Sequence, residues 1–209
     1  VKALIIGDSQ SRGIGRVLAK VLRRRGWQVT EAGRSGHSTA QTLKKARKLQ
    51  NRGTYTRVYV FSGGNNPREG QGNQAAQLVS LFPAGSVAWI GPPPATKIGN
   101  LHTARKAFGK KVTHADYWRT SGFAAKRESI NAALKQAVSS IAAWHDVRDL
   151  FPDGVPPQTD GIHVRGKSAQ RIASHLATDP FSGHGGDSGF VWAVVGVGAI
   201  LAWRNRKTS

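Results

Sequence analysis

The chain has 209 residues, enough for one α/β domain with a full core and a short appendage, and 39% of it is hydrophobic. It contains no cysteine, which excludes disulfides and thiolate-bound metals and leaves the compartment open. Lys and Arg number 31 against 11 Asp and Glu, a formal net charge of +20; this favours polyanionic neighbours (nucleic acid, anionic lipid, acidic polysaccharide) or serves as a solubilising bias.

The first half alternates short apolar runs with amphipathic stretches. Residues 2–6 have the pattern of a buried strand, and Val17, Leu18, Val21 and Leu22 predict a helix over 16–25. A second strand begins at 27–30, a helix follows over 39–49, and RVYVFS at 57–62 is a third strand. Residues 73–81 are helical, and 86–90 form a strand that Gly91-Pro92-Pro93-Pro94 stops. Between 95 and 122 the pattern loosens and basic content rises, as in an insertion or surface loop. A long helix over 124–143, a short strand over 144–147 and a closing helix over 167–176 complete the series. This alternation predicts an α/β three-layer sandwich, a parallel sheet of about five strands with helices on both faces. The basic residues fall in short clusters, such as Arg23-Arg24-Arg25 and Lys44, Lys45, Arg47 and Lys48, without an RNA-binding or zinc-finger signature. Nucleic acid is therefore a candidate neighbour and not an inferred ligand.

Composition changes after residue 178. The reading divides the chain into a domain over 1–178, a Gly-rich linker over 179–188, an uncharged apolar run over 189–203 and a basic tail over 204–209. The run is shorter than the roughly 20 residues that usually cross a bilayer. It has no polar face, carries Trp192 and Trp203 near its ends and meets a basic stop, so it is expected to be a C-terminal membrane-anchoring helix. The alternative is a last core helix. A basic tail prefers the cytoplasmic side, yet residues 2–6 already read as a core strand and leave no room for a signal peptide, so sidedness stays open.

The stretch GDSQSRGIG after the first strand supports two chemistries. As a glycine loop it resembles the opening of a short-chain dehydrogenase, but Gly7 stands two residues too far from Gly13 and Gly15, and no Tyr has a Lys four residues on. As a nucleophile turn it presents Ser9, and three further blocks follow: EAGRSGHSTAQTL after the second strand, SGGNNP after the third and TDGIHV near the end. Together, in this order, the four blocks resemble those of the SGNH (GDSL-type) hydrolase family over nearly all of residues 2–176.

That resemblance implies an SGNH/flavodoxin-like fold and a serine esterase or acylhydrolase. Ser9 would be the nucleophile, His163 its base, and Asp160, three residues before it on one loop, the group that orients the imidazole. The oxyanion hole would be the backbone N–H groups of Ser9 and Gly36 with the side-chain amide of Asn65. Gly13 and Gly15 then become loop and helix-start residues. One departure stands out: the family's third block ends in an acid, and here Gly63-Gly64-Asn65 is followed by Asn66. No cofactor or metal is implied, since the histidines lack ligand spacing. The expected substrate is a short acyl ester, with an acetylated anionic surface polymer favoured by the charge, and the expected partners are the membrane through 189–203 and a polyanion. The competing reading is a basic structural or adaptor protein on an SGNH scaffold, such as a membrane-associated component of a virus particle.

Overall fold

The computed structural model describes residues 1–65, 70–94, 102, 123–156, 158–160 and 162–178. The insertion expected between 95 and 122 (residue 102 apart), the linker, the apolar run over 189–203 and the basic tail lie outside the described residues. Among the described residues no helix is long and apolar enough to cross a membrane.

Five parallel strands form one sheet: β1 (Lys2–Gly7), β2 (Gln28–Glu31), β3 (Arg57–Phe61), β4 (Val87–Ile90) and β5 (Ala143–His145), in the order β2-β1-β3-β4-β5. Successive strand residues point to opposite faces, which divides the core in two. Ala3, Ile5, Tyr59, Phe61, Ala88 and Ile90 pack on one side with α1 (Ser9–Arg24) and the closing helix. Leu4, Ile6, Val58, Val60, Val87 and Trp89 pack on the other. There they meet α2 (Thr39–Arg47), α3 (Gln71–Val79) and α4 (Phe123–Val138); the closing helix, beside α1, is α5 (Gly166–Thr178). Because both faces are covered, the central strands β1, β3 and β4 are apolar through their buried residues, whereas the edge strand β2 (Gln-Val-Thr-Glu) is largely exposed. This is the expected three-layer architecture, with short 3₁₀ turns at Arg52–Thr54 and Val147–Leu150.

The main departure from the sequence reading is the start of α1. The helix begins at Ser9, seven residues before the start expected from the apolar repeat, because the Asp8 carboxylate caps it by accepting from the Gln10 N–H at 2.8 Å. Gly13 and Gly15 are accordingly inside the helix and not in a loop. Each costs the helix about 1 kcal/mol relative to Ala. Gly15 returns that in packing, since a Cβ there would stand 2.7 Å from the Ile5 side chain beneath it. The missing side chain sets how closely α1 lies on β1.

Gly7 carries the sharpest constraint. Its φ is +142°, and a Cβ would lie 1.8 Å from the Phe61 carbonyl oxygen. Beside it, the Asp8 N–H donates to that same oxygen at 2.8 Å. Gly7→Ala is therefore expected to cost about 3 kcal/mol or more, read as a fall in the urea midpoint. Gly26→Ala, equally left-handed at φ +80° but facing open space, is expected to cost only about 1 kcal/mol.

Candidate active site

All the loops that follow the parallel strands emerge at one edge of the sheet, where open α/β folds gather their sites, beside the reversal in strand order between β1 and β3. The β1 strand delivers Ser9 there as the first residue of α1. At that position its N–H has no acceptor within the helix, and the positive end of the helix dipole is directed outward. The β2 strand leads into the loop holding Gly36. That loop is laid along the end of β1 by bonds from Ala32 N–H to the Ile5 carbonyl at 2.8 Å and from Arg34 N–H to the Gly7 carbonyl at 2.9 Å. The β3 strand leads to Gly64 and Asn65.

From the other end of the chain, the loop before α5 supplies Asp160 and His163. His163 Nε2 lies 2.9 Å from Ser9 Oγ, and His163 Nδ1 lies 2.8 Å from Asp160 Oδ2. A carboxylate can only accept, so the imidazole proton sits on Nδ1, and Nε2 presents its lone pair to the Ser9 hydroxyl. The local chain prepares this arrangement. Asp160 Oδ1 accepts from the backbone N–H groups of Ile162, at 3.1 Å, and His163, at 2.8 Å, closing a turn that turns the ring back over the carboxylate. The Asp160 side chain is 1% exposed and the His163 side chain 25%. Burial opposes the charge on Asp160, but the hydrogen bonds from the His163 ring and from the two N–H groups outweigh it and hold the pKa down to about 2. Arg165 adds a looser contact, Nη2 to Asp160 Oδ2 at 3.5 Å.

Gly36 and Asn65 are joined to each other. The Asn65 side-chain N–H donates to the carbonyl of His37, the residue after Gly36, at 3.3 Å, and Gly36 turns the loop with φ +79°. An amide nitrogen carries two hydrogens, so this bond leaves one for another acceptor. Desolvation, with Arg34 and Lys45 close by, lowers the pKa of His37, which favours a neutral ring beside this pair. The structure thus brings Ser9, His163 and Asp160 into one hydrogen-bonded chain and holds Gly36 and Asn65 in two linked loops at the same edge. Asn66, the departure in the third block, lies outside the described residues. Among the described residues no three His, Asp or Glu side chains converge on a point where a metal could sit.

Several supporting residues escaped the sequence reading. Gln10 Nε2 donates to the Ile162 carbonyl at 2.8 Å, tying the first turn of α1 to the His163 loop across 152 residues of sequence. Gln158 braces the same loop by accepting from Arg165 N–H at 3.2 Å. The largest omission is Arg127. It is 4% exposed, on the face of α4 that also carries Asn131 and Leu134, and it lies beside Asp8, which is 2% exposed. Gly64 sits against both: a Cβ there would stand 3.0 Å from Arg127 Nη2 and 3.4 Å from Asp8 Oδ2. Burial pushes the Asp8 pKa up to about 6, against hydrogen bonds from the N–H groups of Gln10 and Gly64 and the nearby Arg127 charge. Desolvation likewise lowers Arg127 to about 10, with Asp8 opposing it. The signal in the sequence was a charged residue at position 127, in helical register with Leu134 on a stripe that should have been apolar.

No protein-family model matches the chain, and no curated protein sequence matches it. Solved structures do share its fold. A member of the lipolytic G-D-S-L family from Veillonella parvula aligns at 14% identity and TM-score 0.57, over 84% of this chain and 95% of that one. A lipase/acylhydrolase from Enterococcus faecalis aligns at 18% identity and TM-score 0.50, over 84% and 95%. The C-terminal catalytic domain of peptidoglycan O-acetyltransferase A from Streptococcus pneumoniae aligns at 18% identity and TM-score 0.52, over 85% and 90%. At these identities the likeness is one of fold.

The Asp8–Arg127 pair leads to a pH-dependent expectation. Arg127→Met would leave Asp8 buried without its counter-charge and is expected to cost about 3–5 kcal/mol at pH 8. Asp8 has a folded pKa above its unfolded value, so the folded state binds the extra proton, and stability is lost as pH rises through about 6. The variant should therefore recover part of its deficit at pH 5, and the double variant Asp8→Asn/Arg127→Met should recover part of it at pH 8. Urea unfolding at the two pH values measures both; a deficit equal at pH 5 and pH 8 would rule out this origin.

Proposed function

We propose that the chain is a serine ester hydrolase that works through an acyl-serine intermediate. The observation that carries this reading is the hydrogen-bonded sequence Ser9–His163–Asp160, with both links under 3 Å and the hydroxyl at a helix N-terminus. The shared fold with acylhydrolases supports it.

In the first step His163 Nε2 takes the Ser9 proton as Oγ bonds to the ester carbonyl carbon. The carbonyl π electrons move to oxygen, and the resulting oxyanion is met by the N–H groups of Ser9 and Gly36 and the Asn65 amide. Each such donor is worth about 3–4 kcal/mol. Asp160, ionised throughout the working pH range, stabilises the imidazolium without taking its proton. The tetrahedral species collapses as His163 returns the proton to the leaving alkoxide, giving the alcohol and acyl-Ser9. A water molecule then repeats the sequence, with His163 as base, and releases the carboxylic acid and free Ser9.

Short acyl groups on an anionic polymer are the substrates this reading favours, because the net charge of +20 concentrates polyanions at the protein. The S. pneumoniae domain of the same fold is named as a peptidoglycan O-acetyltransferase, which is in keeping with acetyl groups as the acyl part. Association with a membrane through residues 189–203 would keep such an enzyme near its polymer.

Hydrolysis of p-nitrophenyl acetate by the 209-residue chain tests the chemistry. Ser9→Ala and His163→Ala are each expected to lower kcat by about 10⁴-fold or more, and Asp160→Asn by about 10²–10⁴-fold. A folded wild-type chain with no turnover and no labelling of Ser9 by a fluorophosphonate would overturn the proposal. For the substrate class, kcat/KM on an acetylated anionic polysaccharide should exceed that on a neutral acetyl ester at low salt, and the advantage should shrink as salt is added. Equal turnover at low salt would remove the polymer from the reading.

A further inference from the structure

In a parallel sheet the strand N-termini and the loops that precede them share the edge opposite the site. Here that edge is formed by the start of β1, the loops entering β2, β3, β4 and β5, and the C-termini of the helices. Its charge is one-sided. Lys2, Arg24, Arg25, Arg47 and Lys48 are exposed there, with Arg52 half-buried among them, and no Asp or Glu stands among the described residues of this edge. Arg23 is also nearby, but Glu31 answers its charge at 2.7 Å. The large hydrophobic side chains exposed in the described structure belong to the same edge: Val1 at 64% and Ile141 at 40%.

The last described helix also ends at this edge. The α1 and α5 helices run side by side in the same direction, with Gly13 of the first near the Val164 carbonyl at one end and the Arg25 guanidinium donating to the Ala177 carbonyl at the other. Thr178 therefore ends among the cations, and ten residues later the sequence enters the uncharged run 189–203.

We propose that this basic edge is a docking face for an anionic lipid bilayer. The inference does not depend on the hydrolase reading. Phosphate headgroups match unopposed guanidinium and ammonium groups, and exposed apolar side chains reach the interface between them. Nucleic acid would share the charge term, but exposed Val and Ile side chains are no use to a phosphodiester backbone, and the apolar run that follows suits lipid. Docked in this way, the domain turns Ser9 and His163 away from the bilayer toward material on the far side.

Co-sedimentation of the 209-residue chain with vesicles tests the face. Vesicles of phosphatidylcholine alone report what the apolar run contributes; vesicles that also contain phosphatidylglycerol add the charge term. The wild type should prefer the anionic vesicles, and salt should weaken that preference. The triple variant Lys2→Gln/Arg24→Gln/Lys48→Gln should lose about 10²-fold of it. Arg16→Gln/Lys20→Gln/Lys167→Gln, which removes the same charge from the flank of α1 and α5, should keep most of it. Ile141→Ser should weaken binding to anionic vesicles with no change of charge. Equal partition into both vesicles, or an equal loss in both triple variants, would overturn the proposal. So would tight binding of a DNA duplex that the first triple variant abolishes, if the wild type shows no lipid preference.

Discussion

The close crossing of β1 and β3 at Gly7 is the constraint on which the site depends. Without a side chain at Gly7 the Phe61 carbonyl comes within reach of the Asp8 N–H, and the backbone turns sharply out of the strand. Two neighbours then go opposite ways. Asp8 is directed into the protein, where it caps α1 and receives the Gly64 N–H, while Ser9 is left at the surface on the first turn of the helix. A β-carbon at residue 7 would separate the strands and disturb Ser9, the helix start and the Asn65 loop together.

Two carboxylates with almost no solvent contact behave in opposite ways, and the difference is the company they keep. Asp160 lies just beneath the surface, with the imidazole of His163 and two N–H groups aimed at it, and its pKa falls to about 2. Asp8 is deeper, and its backbone donors and Arg127 do not recover the full cost of desolvation, so its pKa rises to about 6. The first can stabilise positive charge on a ring that gains and loses a proton. The second is a structural joint: with Arg127 it holds the turn carrying Ser9, the loop carrying Asn65 and helix α4 around one buried charge pair. An α4 held in this way supports the third loop through Gly64, which packs against both Arg127 and Asp8.

Parallel topology also explains how two unlike surfaces coexist on so small a domain. Every strand enters from one edge and leaves at the other, so residues just before strands and residues just after them never mix. In this chain the residues after the strands include Gly, Ser, Asn and the Asp-x-x-His loop, whereas the entries to β1, β2 and β3 carry Lys2, Arg24, Arg25, Arg47 and Lys48. The proposed chemistry and the proposed docking face thereby fall at opposite ends of the sheet.

The strands and most helices were legible in the sequence because their signals are local: short and mostly apolar runs, and a repeat near 3.6. The Asp160–His163 turn was legible for the same reason, since its bonds close within three residues. The start of α1 was missed because its first turn is polar, Gly13 and Gly15 follow it, and a cap rather than an apolar face determines where it begins. Gln10 and the shared edge of Lys2, Arg24 and Lys48 were beyond sequence reading for a different reason, and for Arg127 the sequence showed only a charge on an apolar stripe and not its partner. Each acquires its role from a partner brought near by the sheet order, as Gln10 does from Ile162 across 152 positions. Residue type and short-range spacing determined which groups could do chemistry. Only the packing of the layers decided which of them were buried, which were paired and which end of the molecule they occupied, because desolvation and long-range contact are properties of the fold as a whole.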